Sequence, residues 1–265
     1  MNKKIGFIGC GKMASAIIKG VSDIQGIVLK GAEINPEFAQ KAQERLKIPV
    51  LSDNRALVMD SDIIFIATKP NQVADILDEI KSEITEEKLV VSIAAGVSTG
   101  KIENVIGHNR IVRIMPNTPA LVKEGMFGIC KGKYASEIDV EFVKSLLSKI
   151  GKCVEVTEAQ MDIVTAISGS GPAFFYQVIE DMARAGEKLG LDYDKSLLLA
   201  TQTALGSAKM IFNRGETPVQ TLIDNVATKG GCTFVGIEVM KENKSTDLFA
   251  EVIDKTTKKA NELGK

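Results

Sequence analysis

Lys3-Lys4-Ile5-Gly6-Phe7-Ile8-Gly9-Cys10-Gly11-Lys12-Met13-Ala14 is the stretch from which the fold can be read. An apolar run of strand length ends in a GxGxxA turn, and residues 14–21 continue as an apolar helix. The first glycine suits a tight turn, the second lets a ligand approach the backbone, and the small third residue lets helix and strand pack closely. In this strand–turn–helix setting the pattern predicts a dinucleotide pyrophosphate on the helix N-terminus, held at Gly9, Gly11, Lys12, Met13 and Ala14.

Outward from that turn the chain alternates. Strand-like segments at 27–33, 62–67, 88–93 and 110–115 are separated by helical patterns at 36–46, 71–82 and 99–106. Two further strand-like segments, 125–130 and 152–156, flank a helix at 136–150. The class is therefore α/β, with an N-terminal Rossmann-type, doubly wound and mostly parallel sheet as a domain over residues 1–157. Ligands of such sheets bind at the carboxyl ends of the strands. Ala67, Lys69 and Pro70, then Ala94, Ala95 and Gly96, then Pro116 and Asn117 fall at those ends, and small residues there would admit a flat nicotinamide ring. The same prolines equally well stop strands.

Glu33 lies near the end of the second strand, where an acidic side chain accepts hydrogen bonds from the adenosine ribose. A carboxylate there repels the extra phosphate of NADPH, while the loop at Asn35 offers other donors. Both NADPH and NADH remain open as cofactors.

From Glu158 the chain reads as helices at 160–167, 173–189, 195–212, 217–226, 233–241 and 246–263, with a break at Ser168-Gly169-Ser170-Gly171-Pro172. Residues 158–265 are expected to form an all-α second domain. In the 246–263 segment Leu248, Phe249, Val252, Ile253 and Ala260 share one face, as in an ordinary amphipathic helix. Residues 196–212 are apolar nearly all round and need burial on every side. A small helical domain reaches that most easily by packing on a second chain, which predicts an obligate homodimer.

Composition narrows the classes further. A chain of 265 residues with 45% hydrophobic and 25% charged content reads as globular rather than disordered. A net charge of −1 without a dense basic block argues against nucleic acid or a membrane surface as partner. The amino terminus leads straight into a strand and no apolar run spans a bilayer, so a cytoplasmic location is expected. Cys10, Cys130, Cys153, Cys232 and the single histidine, His108, are too scattered for a metal site or a nucleophile pair. Isolated cysteines of this kind are usually small buried hydrophobes. The chemistry must come from a cofactor.

Asp224-Asn225-Val226-Ala227-Thr228-Lys229-Gly230-Gly231-Cys232-Thr233 opens the penultimate helical segment, with Thr233 in the expected N-cap position. Unpaired helix-start amides and hydroxyls there suit a small carboxylate, although an ordinary Gly-rich turn between helices would look the same.

Taken together these motifs resemble the pyrroline-5-carboxylate reductases over essentially the whole chain. The likeness rests on residues 6–14, Lys69-Pro70, Met115-Pro116-Asn117-Thr118-Pro119, Ser168-Gly169-Ser170-Gly171-Pro172-Ala173 and the segment from Pro218 to Lys241. It implies NAD(P)H-dependent reduction of 1-pyrroline-5-carboxylate to L-proline. Asn225, Thr228, Thr233 and the amides of Gly230 and Gly231 would hold the substrate carboxylate and ring nitrogen, with Thr233 positioning rather than donating a proton. It also implies a dimer of interlocked helical domains, sometimes assembled into a decamer. Two positions depart from many members: Lys229 replaces a proline, and Ile34 replaces an arginine that meets the NADP phosphate. Reduction of another small cyclic imine or of a hydroxy acid is an alternative, as is a non-catalytic NAD(P)-binding scaffold. The hydroxy-acid dehydrogenases typically project a lysine from the first long helix of the second domain, and residues 173–187 contain none.

Overall fold

The structure is a computed structural model that describes residues 2–263. The chain forms two compact units, residues 1–170 with 255–265, and residues 171–254.

The first unit is built on one eight-stranded sheet in the order β3-β2-β1-β4-β5-β6-β7-β8. The strands are β1 (Lys3–Ile8), β2 (Ile27–Ala32), β3 (Val50–Leu51), β4 (Ile63–Ile66), β5 (Leu89–Ser92), β6 (Arg110–Met115), β7 (Gly125–Lys131) and β8 (Gly151–Glu155). Helices α1 (Lys12–Val21), α2 (Pro36–Leu46), α3 (Asn54–Met59), α4 (Val73–Ile80), α5 (Thr99–Ile106) and α6 (Glu137–Leu147) connect them. Every neighbouring pair is parallel except β6 with β7. The cause is local: β6 and β7 are joined by residues 116–124, which hold only the short 3₁₀ turn Thr118–Val122, and a parallel return needs a longer crossover. β7 to β8 has such a crossover in α6 and is parallel again.

The central strands are buried on both faces and therefore read as unbroken apolar runs. Side chains alternate between two cores. Ile5, Phe7, Ile63, Phe65 and Val91 face α1 and α6, with the Phe7 and Phe65 rings stacked at 4.6 Å. Ile8, Ile64, Ile66, Val90 and Ile111 face α3, α4 and α5 through Leu57, Leu77, Ile80 and Ile102.

The boundaries of β1, α2, α5 and β6 match the segments expected from the sequence, and β3 and α3 are additional elements. β3 is two residues long and α3 a little over one turn, too short to show a period. Asp53 caps α3, accepting from the amides of Arg55 at 2.8 Å and Ala56 at 3.2 Å.

The expected break at Ser168-Gly169-Ser170-Gly171-Pro172 is not a break. α7 (Met161–Val164) runs into a π-helical turn, Thr165–Gly169, closed by Ser170 N–H donating to Thr165 O at 2.8 Å, and α8 (Gly171–Lys188) follows at once. The small residues allow close approach rather than interruption. A Cβ on Gly169 would come within 2.5 Å of Met115 Cε.

In the second unit α8 and α9 (Tyr193–Phe212) form an antiparallel pair, followed by α10 (Val219–Val226), α11 (Cys232–Glu242) and most of α12 (Ser245–Leu263). The α8–α9 seam uses small residues: Ala183, Ser196 and Ala200 are buried, and a Cβ on Gly186 would strike Ser196 Oγ at 2.5 Å. Tyr193 O–H donating to Glu180 at 2.6 Å, and Arg184 over the Tyr193 ring, hold one end. Small residues on the seam put the large ones elsewhere. Leu198 is 69% exposed within the protomer, and Leu205 is 46% exposed. Among the described residues no helix is long and apolar enough to cross a membrane.

Candidate active site

The sheet register lines up Ile8, Ala32, Ile66 and Ser92 across four strands, so the residues just beyond them share one edge. Gly9, Glu33, Ala67 and Ile93 stand there, at the carboxyl ends. Gly9 has φ +88°, a conformation that side-chain-bearing residues avoid, and its N–H donates to Ala32 O at 3.0 Å. A Cβ at Gly9 would meet Ala67 O at 2.9 Å and Thr68 Cγ2 at 2.8 Å.

Gly11 is the N-cap of α1 in an extended conformation, and no side chain caps the helix. The amides of Lys12, Met13 and Ala14 precede the first α-helical hydrogen bond, which Ser15 N–H makes to Gly11 O at 2.9 Å. A Cβ on Gly11 would meet no atom within 4 Å, while Ala14 is buried against the core. Free helix-start amides, the positive end of the helix dipole and a bare glycine backbone together fit a dinucleotide pyrophosphate. Thr68 Oγ1, buried at the next strand end without a partner, is a further polar atom on that edge.

The other expected residues distribute as follows. Glu33 is half-buried at the end of β2, its N–H bonded to Leu51 O at 2.9 Å. Asn35 caps α2, its Oδ1 accepting from Glu37 N and Phe38 N. Lys69 is exposed before the 3₁₀ turn Pro70–Gln72. Pro70 and Gly96 line one cleft of about 470 Å³ together with Val73, Val97 and Leu263. Ala94 is buried, Ala95 is half-buried, and Gly96 takes φ +74°. Pro116 is buried, and so is Asn117, whose side chain is fully engaged: Oδ1 accepts from Met126 N at 2.8 Å and Nδ2 donates to Ser168 O at 3.2 Å. Asn117 thus braces the end of β6 against the π-helical turn.

One buried network was not foreseen. Arg113, 3% exposed on β6, pairs with Glu158, which also accepts from Thr99 N at 3.0 Å and Thr99 Oγ1 at 2.8 Å. Burial alone would raise the Glu158 pKa, but the Thr99 N–H and the Arg113 charge outweigh it and hold the carboxyl below its usual range. The network fixes the first residue of α5, next to the Ala94-Ala95-Gly96 loop. A charged residue inside the apolar strand 110–115 was the available signal.

The five residues expected to meet substrate fall on one corner of the second unit. Asn225 lies in the last turn of α10, Thr228 and Gly230 form the turn, and Thr233 lies in the first turn of α11. Gly230 has φ +82°, and Gly231 N–H donates to Thr228 O at 2.9 Å. The N-cap is Gly231 rather than Thr233. The tight Gly230-Gly231 turn starts the helix earlier, and Thr233 contributes its hydroxyl and amide from within it. Asn225, Thr228 and Gly230 are exposed and Thr233 is half-buried.

Burial keeps three of the four cysteines as neutral thiols. Burial, reinforced by Glu33, pushes the Cys10 thiol up to about 11, and burial beside Glu158 pushes Cys130 up to about 12. Burial also raises Cys153 to about 11, although that residue is only half-buried. Cys232 departs from the buried-hydrophobe expectation, being exposed at the first position of α11. His108 precedes β6 at the amino edge of the sheet, against the Tyr134 ring.

Comparison with known proteins places this geometry. The family model described as pyrroline-5-carboxylate reductase dimerisation matches residues 158–263, and that described as NADP oxidoreductase coenzyme F420-dependent matches residues 4–96. The chain is 40% identical to the pyrroline-5-carboxylate reductase of Methanosarcina acetivorans, covering 100% of this chain and 99% of that one. It is 34% identical to the Plasmodium falciparum pyrroline carboxylate reductase solved with NADP bound, with a TM-score of 0.88 and coverage of 100% and 99%. For the pyrroline-5-carboxylate reductase of Coxiella burnetii the identity is 32% and the TM-score 0.92, with 100% of both chains covered. Full-length identity at this level, a matched dimerisation region and the glycine turn of the sheet lead to one conclusion: the chain belongs to the pyrroline-5-carboxylate reductase family.

Proposed function

We propose that this protein reduces 1-pyrroline-5-carboxylate to L-proline with NAD(P)H, as the last step of proline formation. The observation that carries the reading is the coexistence, in a chain that matches the family along its whole extent, of a bare dinucleotide turn and a glycine–threonine corner. When bound, the dinucleotide would supply the hydride that the imine carbon accepts. One proton completes the amine, giving L-proline and NAD(P)⁺. A ring nitrogen that arrives protonated as the iminium already carries that proton, so no general acid is required. The chain's tasks are positioning and electrostatics.

Gly11, Lys12, Met13 and Ala14 present amides to the pyrophosphate, with Gly9 setting the turn. Ala67, Lys69, Pro70, Ala94, Ala95, Gly96 and Pro116 line the path of the dinucleotide, with Asn117 bracing it. Glu33 and Asn35 meet the adenosine ribose. At the α10–α11 corner the amides of Gly230, Gly231 and the first turn of α11 receive the substrate carboxylate, and Asn225, Thr228 and Thr233 orient the ring. A threonine hydroxyl is too weak an acid for the proton transfer, so Thr233 is assigned positioning. Its replacement by alanine is expected to lower kcat/KM for the imine about tenfold, the worth of one hydrogen bond to a charged ligand, with the melting temperature unchanged. Steady-state rates on Thr233→Ala decide this, and unchanged kinetics would remove Thr233 from the site.

The protein self-associates through its dimerisation region. The proposed assembly is a homodimer, and five such dimers would make the decamer that the resemblance implies. The unpaired cysteines agree with a reducing cytoplasm as the compartment.

A further inference from the structure

We propose that Arg45 recognises the adenosine 2′-phosphate, so that the working cofactor of this chain is NADPH. The inference rests on the reading that the Gly9–Ala14 turn holds the dinucleotide. Ile34, beside Glu33, brings a 63% exposed apolar side chain to the loop that meets the ribose, and the carboxylate of Glu33 alone would repel a phosphate. Arg45 supplies the opposing charge from the last turn of α2. Its Nη2 donates to Cys10 O at 2.6 Å, inside the dinucleotide turn, and this bond ties the guanidinium to the turn's backbone.

Three chain segments meet at this point. Gly9 N–H bonds to Ala32 O, the Cys10 thiol lies 3.9 Å from the same oxygen, and Gly31 is glycine because a Cβ there would reach Cys10 Sγ at 2.5 Å. Glu33 follows Ala32 directly. Glu33 and Arg45 both stand near enough to Cys10 to act on its thiol, in opposite senses. A guanidinium has five N–H donors in a planar fork, and one bond to Cys10 O leaves others for a phosphate oxygen. The fork therefore does two things: it braces the turn and presents positive charge at the ribose edge. Glu33 remains able to accept from the ribose 3′-hydroxyl, its repulsion of the phosphate balanced by the neighbouring cation.

Calorimetric titration of the full chain with 2′,5′-ADP and with 5′-AMP tests the assignment without any imine present. Wild type should bind 2′,5′-ADP more tightly. Arg45→Met should weaken 2′,5′-ADP by about 10- to 100-fold, as expected for a lost charge-assisted contact, with little change for 5′-AMP. Glu33→Gln should shift the ratio the other way. Equal weakening of both nucleotides would show that Arg45 only braces the turn and would overturn the proposal, as would no weakening of either. If the methionine variant fails to fold by circular dichroism, Arg45→Gln carries the same comparison. Failure of wild type to bind either nucleotide would remove the dinucleotide site itself. Intact nucleotide selectivity in a protein that reduces no pyrroline would contradict the proposed reaction and leave Arg45 in place.

Discussion

Gly9→Ala is expected to weaken NAD(P)H binding by at least about 100-fold, because it displaces the backbone proposed to receive the pyrophosphate. Two costs act together. At φ +88° an L side chain is strained by roughly 1–2 kcal/mol, and the added Cβ would sit 2.9 Å from the Ala67 carbonyl oxygen, part of the backbone beyond β4 that cannot swing away. The turn must move outward, taking with it the Gly11 N-cap and the amides of Lys12, Met13 and Ala14. Most of the effect should fall on cofactor affinity, since β1 is held by α1 and by both neighbouring strands. Titration of bound NADPH fluorescence against a thermal melt separates the two. A variant that melts normally and binds normally would show that the turn does not contact the dinucleotide.

The second large effect concerns assembly. Leu198 and Leu205 stand seven residues apart on α9, on a stripe that the Ala183–Gly186–Ser196–Ala200 seam leaves uncovered. A protein rarely leaves such a stripe to water, and in a chain whose helical region matches a dimerisation model a second copy is the expected cover. Leu198→Glu combined with Leu205→Glu should raise the dimer dissociation constant by at least about 100-fold, since each carboxylate would be buried without a partner. Sedimentation velocity at low micromolar protein should show monomers that keep their helical circular dichroism. Dimers of wild-type affinity would place the interface elsewhere.

The sequence revealed most where physical demands are local. The GxGxxA turn was legible because a positive-φ glycine, an amide-exposing N-cap and a small packing residue each leave a residue-level trace within six positions. Self-association was legible in α9 because a helix apolar nearly all round is hard to cover within so small a helical domain. Three features were not. The pair Arg113 and Glu158 joins positions 45 residues apart, and only the fold brings them together. β3 and α3 are shorter than the periods by which strands and helices are read. The runs at Ser168–Pro172 and Gly230–Gly231 contain glycines that usually signal interruption. In the first they permit a π-helical turn to press on Met115, and in the second they place the N-cap of α11 at Gly231, two residues before the threonine that looked like its cap.

The most direct test of the account is the initial rate of nicotinamide oxidation with 1-pyrroline-5-carboxylate, run in parallel with NADPH and NADH. The account predicts imine-dependent oxidation with L-proline formed mole for mole, and a higher kcat/KM with NADPH that falls in Arg45→Met. Absence of imine-dependent oxidation with both dinucleotides, in protein that binds them, would contradict it.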